Sequence, residues 1–229
     1  MAMPASPGNG IRLRTTLRLA EPALAAATNR FWRHPRLAAL FPAYLLRVLA
    51  SARASLGVMA AAERRAGALA ASDPLARRLA DYYAQHLAEE AGHAEWLLAD
   101  LEVIGVSRAD ALEGVASPAI ASLIGAQYYW IEHHHPVAPL GLFAVLEGYP
   151  PSASGVAEIR ARTGLPSSAF RFLLAHAEID PHHAADLYRL LDELPLSPAQ
   201  ASLVRVSALH TVGSLGAVFD ELRALADQE

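Results

Sequence analysis

Two stretches of this chain repeat one spacing, and the repeat constrains both its fold and its chemistry. HLAEEAGH places Glu90 four residues after His86 and His93 three residues further on. HAEIDPHH does the same with His176, Asp180 and His183. On an α-helix, steps of four and three return to one face, so each triplet projects three donors from one side. On a strand the same steps would divide the donors between two faces. Two imidazoles and a carboxylate make half a site for iron, manganese or zinc. Two such sets on separate helices imply a shared site.

The surrounding sequence supplies a helical frame. Residues 1–20, with Pro, Gly and scattered Arg, read as a flexible leader. A first helix is expected over about 21–33, with Pro22 at an early position. An amphipathic run over about 43–71 carries Tyr44, Leu45, Val48, Leu49, Leu56 and Met59 on its apolar face. Asp73–Pro74 is a cap-and-start signal for a helix expected to run through the first triplet and stop at Gly105. Ser117–Pro118 opens another, which reaches His133–His135 before Pro136 and Pro139 break it.

The apolar segment LGLFAVLEG follows, and a short helix over about 154–162 ends at Gly164. Pro166 and Ser167 begin the helix bearing the second triplet, where Pro181 is expected to kink it or to start a new helix capped by Asp180. A final amphipathic helix is expected over about 199–225. Strand alternation and hairpin turns are absent from the pattern. The fold class is therefore all-α, with residues 21–229 forming a single domain.

Composition narrows the chemistry. The 229 residues are 53% hydrophobic and 18% charged, which favours a well-buried core. Net charge is −4 without a basic run, so neither nucleic acid nor an anionic membrane is the expected partner. The chain contains no Cys, which excludes disulfides, thiolate nucleophiles, iron–sulfur clusters and thiolate-ligated haem. It contains no Lys either, which excludes Schiff-base chemistry. Any metal must be held by nitrogen and oxygen. The start, MAMPASPGNG, lacks the pattern of a secretory signal, and no run approaches the roughly 20 uninterrupted apolar residues of a membrane helix. A soluble cytoplasmic protein acting on a small molecule is expected, and a homodimer is left open.

Glu147 adds a third carboxylate. It follows an almost wholly apolar segment, where an ionised side chain is costly without a cation or strong donors beside it. Four imidazoles and three carboxylates suit two ferrous or manganous ions better than one zinc. Glu89 points about 100° away from Glu90 on a helix and is the weaker candidate. His133, His134 and His135, beside the proline break, suit a surface or an outer supporting position. Asp81, Glu178 and Asp186 are candidate carboxylates for orienting the imidazoles. Tyr82, Tyr83, Tyr128, Trp130, Phe143 and Phe172 are candidate pocket walls. Arg171 is a candidate anchor for a substrate carboxylate, weighed against an ordinary solvated Arg.

HLAEEAGHAEWLLADL, the segment from His135 to Gly148 with its Leu-Glu-Gly end, and HAEIDPHHAADL together resemble the haem-oxygenase-like diiron oxidases and oxygenases, the iron-containing redox enzyme family. The resemblance covers about residues 75–195. It implies a haem-oxygenase-like bundle of about seven or more helices. It also implies a ligand set of Glu90 and His93, then Glu147, then His176, Asp180 and His183. His86 occupies a position where some members carry a carboxylate, so it is a ligand, a supporting residue or neither. The implied cofactor is Fe(II), two ions per chain, with dioxygen as co-substrate. The implied reaction is oxidation of a small amine, amino acid or fatty acid by N-oxygenation, desaturation or oxidative C–C cleavage. The alternatives are a haem-binding or haem-degrading relative, which needs only one axial His, and a metal-binding helical protein without chemistry. A thiaminase-like enzyme is disfavoured because its nucleophile would be Cys.

Overall fold

A computed structural model describes residues 8–227. Among these residues there are ten α-helices, two short 3-10 turns and no strand. The helices are α1 (Asn9–Trp32), α2 (Leu37–Leu69), α3 (Pro74–Glu90), α4 (His93–Val103), α5 (Arg108–Glu113), α6 (Pro118–His133), α7 (Pro139–Leu146), α8 (Ala153–Thr163), α9 (Arg171–Glu193) and α10 (Pro198–Ala224). The all-α expectation therefore holds.

Local chemistry sets most of the boundaries. Asp73 caps α3 by accepting from Leu75 N at 2.9 Å, with Pro74 in the first turn. Ser117 and Ser152 cap α6 and α8 in the same way. Ser197 and Gln200 form a reciprocal capping box at the start of α10. His135, next to the proline break, is structural: its Nε2 lies 3.0 Å from Asp73 Oδ2. His133 and His134 are exposed.

The leader expectation fails from Asn9 onward; residues 1–7 lie outside the described part. Leu13 and Leu17, one turn apart, are buried, so the scattered Arg residues are the solvent side of an amphipathic helix. Distant chain also ties down this end. Asn9 Nδ2 donates to the Leu191 and Leu194 carbonyls, Gly10 N donates to Asp192 Oδ1 at 2.8 Å, and the Arg14 guanidinium lies over the Tyr188 ring. Pro22 sits inside α1 rather than at its start.

The bundle is built around α2 and α10. Helix α2 packs most closely on α3, α6 and α4, whereas α10 packs on α1, α7 and α6. Both are long and apolar enough, by length and composition, to cross a membrane. Here their apolar residues, among them Leu45, Leu49, Met59, Val204, Ala208 and Leu222, belong to the common core. Helix α7 is buried on every side. It approaches α10 so closely that a Cβ on Gly141 would lie 2.2 Å from the Val204 carbonyl oxygen. That contact seats α7, and α7 carries Glu147 at its C-terminal end.

Candidate metal centre

The two triplets arrive on three helices. His86 and Glu90 lie in the last two turns of α3, and His93 is the first residue of α4. The expectation of one unbroken helix through the first triplet is corrected here. Gly92 adopts φ 98°, a left-handed conformation that glycine enters without steric penalty, and the chain turns between Glu90 and His93. The second triplet lies on α9, which continues through Pro181. Asp180 is therefore an interior helical residue and not a cap.

Helix α9 has no side-chain cap of its own. Its first turn is satisfied by Asp100 of α4, which accepts from Arg171 N at 3.2 Å and from Phe172 N at 2.9 Å. A carboxylate at a helix N-terminus answers both the free N–H groups and the helix dipole. This buried contact joins the helix that starts with His93 to the helix bearing His176.

The seven expected residues converge. Donor atoms of His86, Glu90 and His183 lie within 4.8 Å of one another, as do those of Glu90, His93 and His176. Glu90 thus belongs to two groups, each able to hold an ion. His93 Nδ1 is 3.0 Å from Glu90 Oε2, and His183 Nδ1 is 3.3 Å from Glu90 Oε1. His86 Nε2 lies 2.8 Å from Glu147 Oε1, and His176 Nδ1 lies 2.7 Å from Asp180 Oδ1. Rings pack around the donors: His86 is edge-on to His183, His93 is edge-on to His176, and Phe172 covers His176 at 4.0 Å between centroids.

The electrostatics suit a cation. Glu147 is 8% exposed. Burial pushes its carboxyl above the usual range, with His86 pulling only partly the other way. Burial, reinforced by the neighbouring His86, lowers His183 and favours the neutral imidazole that ligates metals. Burial would raise Glu90 as well, but the hydrogen bond to His93 and the surrounding imidazoles outweigh it and hold the carboxyl below its ordinary value. Two buried atoms of the cluster, Glu147 Oε2 and His176 Nε2, have no hydrogen-bond partner, and His183 Nδ1 meets Glu90 Oε1 only as an ion-pair contact at 3.3 Å. Leaving such groups unmet costs about 1–3 kcal/mol each. Lone pairs of this kind, converging from imidazoles and carboxylates, fit one or two divalent ions with nitrogen and oxygen ligands.

Glu89 is placed differently from its expected minor role. It stands outside both donor groups, yet its Oε2 is 3.6 Å from His86 Nδ1 and 3.7 Å from His183 Nε2. It faces the far nitrogens of two candidate ligands, as an orienting carboxylate does. Helical angle alone hid this, because His183 comes from another helix. Of the carboxylates first considered for that task, Glu178 is exposed, and Asp81 and Asp186 line a polar cleft beside Glu89 without contacting a donor imidazole.

On the other side of the cluster lies a cavity of ≈ 400 Å³. Glu90, Glu147, His176 and Asp180 form one part of its wall, and Met59, Ile120, Phe143 and Phe172 extend it as apolar surface. Only two of the expected wall aromatics, Phe143 and Phe172, line this cavity. Tyr83 is core and donates to the Pro136 carbonyl at 2.8 Å. Tyr82 stacks on His86 from the cleft side, Tyr128 is exposed, and Trp130 packs on His210. Arg171 is exposed beside Trp96 and does not reach the cavity. Arg47, from the middle of α2, does, and no motif marked it.

Residues 66–213 match the family model of the iron-containing redox enzymes. The chain belongs to that family. Its fold is also seen in a crystal structure of a domain of unknown function with a haem oxygenase-like fold from Shewanella denitrificans. The two share 20% identity over 93% of this chain and 91% of that one, with a TM-score of 0.79. A TenA homologue from Pseudomonas syringae pv. tomato is more distant, with 12% identity, 91% and 93% coverage and a TM-score of 0.64. At these identities the likeness is one of fold. No curated protein sequence matches the chain.

Proposed function

We propose that this protein is an iron-dependent oxidoreductase. It would hold two ferrous ions between its histidine triplets and use dioxygen to oxidise a small amine, amino acid or fatty acid. The observation that carries the reading is the pair of donor groups sharing Glu90 at the wall of an apolar cavity. His93 and His176 would serve one ion, and His86 and His183 the other. Glu90 would lie between them, with Glu147 and Asp180 completing the anionic half of the set. Once bound, ferrous ions supply the electrons and open coordination positions that dioxygen reduction requires. The chain's own contribution is to fix ligand positions, keep His183 neutral and surround the reacting volume with Phe143, Phe172 and Met59, which limits water.

Anaerobic titration with ferrous iron, followed by an oxygen pulse watched by absorbance, tests the reading. The expected result is uptake approaching two irons per chain and consumption of oxygen. Separate His176→Ala and Asp180→Ala variants should lose iron while keeping their helical circular-dichroism signal. Iron binding as tight as the parent's in both variants would overturn the ligand assignment.

A further inference from the structure

Arg47 lines the same cavity as Glu90, Glu147 and Asp180, together with Trp32, Tyr44 and Ser51. It is partly buried, its Nε is inaccessible to water and has no hydrogen-bond partner, and it forms no ion pair among the described residues. Other cavity-facing surface is mostly apolar, with Leu24, Val48, Ile120 and Val218 among the walls. A guanidinium cannot shed its proton, so a permanent positive charge borders this largely apolar chamber with its Nε unpartnered. A carboxylate is its geometric complement, accepting two parallel N–H bonds.

Charge inside the cavity is also divided. Three carboxylates gather at the donor cluster, and none lies within ion-pairing distance of Arg47. Glu21, the remaining acid in the wall, is exposed. In the metal-free protein an anionic head is repelled by the donor carboxylates and attracted to Arg47. A single unpaired Arg balances one negative charge, which suits a monocarboxylate rather than a phosphate.

We infer that Arg47 is the head-group anchor for a monocarboxylate with an apolar body, holding the carboxylate on α2 and directing the body toward the metal donors. The inference rests on the proposed enzyme using this cavity for substrate, and it selects the acid arm of the substrates named above. It also places the site of oxidation on the apolar body instead of beside the carboxylate.

Calorimetric titration of octanoate, octan-1-ol and octylamine tests it, using both the metal-free and the iron-loaded protein. Octanoate should bind best, and Arg47→Gln should weaken octanoate by about 10- to 100-fold, the equivalent of one charged hydrogen-bonded pair. Octan-1-ol binding should not change, and Arg47→Lys should recover part of the loss. Unchanged thermal melting of the variants would show that the fold is intact. Octanoate binding that is indifferent to Arg47→Gln, or octylamine binding as tight as octanoate in the parent, would overturn the anchor. The two readings separate cleanly. Arg47-dependent octanoate binding without iron uptake would sink the diiron reading and leave the anchor standing. Normal iron uptake with Arg47-independent octanoate binding would do the reverse.

Discussion

The two donor segments reach one centre along different backbones. The first crosses a break at Gly92, so that α3 delivers His86 and Glu90 while α4 delivers His93. The second stays helical through Pro181 and delivers His176, Asp180 and His183 from one continuous helix. A single straight helix presents its donors as a row, spaced about 5–6 Å per turn. A row cannot enclose anything by itself. The break in the first segment brings His93 back to 3.0 Å from Glu90, and the facing row on α9 closes both groups. Convergence thus comes from a broken segment opposed to a continuous one, with Asp100 tying them together at the start of α9.

The largest effect should come from the residue that both segments share. Glu90→Ala removes a donor from each group, and iron uptake measured by titration should fall by more than about 100-fold. If one full iron still bound tightly, Glu90 would not be common to both positions. Replacing Glu89 by Gln probes the partner of the continuous segment. Losing an orienting carboxylate beside His86 and His183 should cost about 10- to 100-fold in iron affinity, with little change in melting temperature. Equal iron isotherms for variant and parent would show that those 3.6–3.7 Å approaches carry no function.

Backbone substitutions should act through stability, and in opposite directions. Gly92→Ala forces a side chain into φ 98° and should destabilise the fold by about 1–3 kcal/mol in denaturant titration. Its iron affinity should drop as well, because α4 and His93 shift with the turn. A variant as stable as the parent would mean that the turn tolerates a Cβ. Pro181→Ala restores a helical N–H and relieves the ring's clash with the preceding turn. It should stabilise α9 by about 1 kcal/mol and leave iron uptake close to the parent's. Loss of iron in this variant would show that the proline shapes the row of donors.

Much of this was legible from residue order. The caps at Asp73 and Ser117 are short-range chemistry, settled by side chains reaching backbone two or three residues away. The spacing of the triplets and the apolar run before Glu147 are equally local, and all seven donors converge as their pattern implies. What misled was also local. Proline inside the second triplet outweighed glycine inside the first, because propensity counts an isolated helix and ignores what packs against it. Arg12, Arg14 and Arg18 suggested a loose leader, although Leu13 and Leu17 had marked a buried face.

The sequence by itself determined that the chain is helical, that any metal it held would meet only nitrogen and oxygen ligands, and which seven side chains would come together. These follow from periodicity and composition, which each residue carries with it. Tertiary structure alone decided that Glu90 is shared, that Glu89 stands behind two imidazoles and that Arg47 enters the cavity while Arg171 does not. Each of those depends on which face of one helix meets another far along the chain. Packing sets that relation through contacts such as Gly141 against Val204 and Asp100 beneath α9, and no spacing within a single segment encodes it.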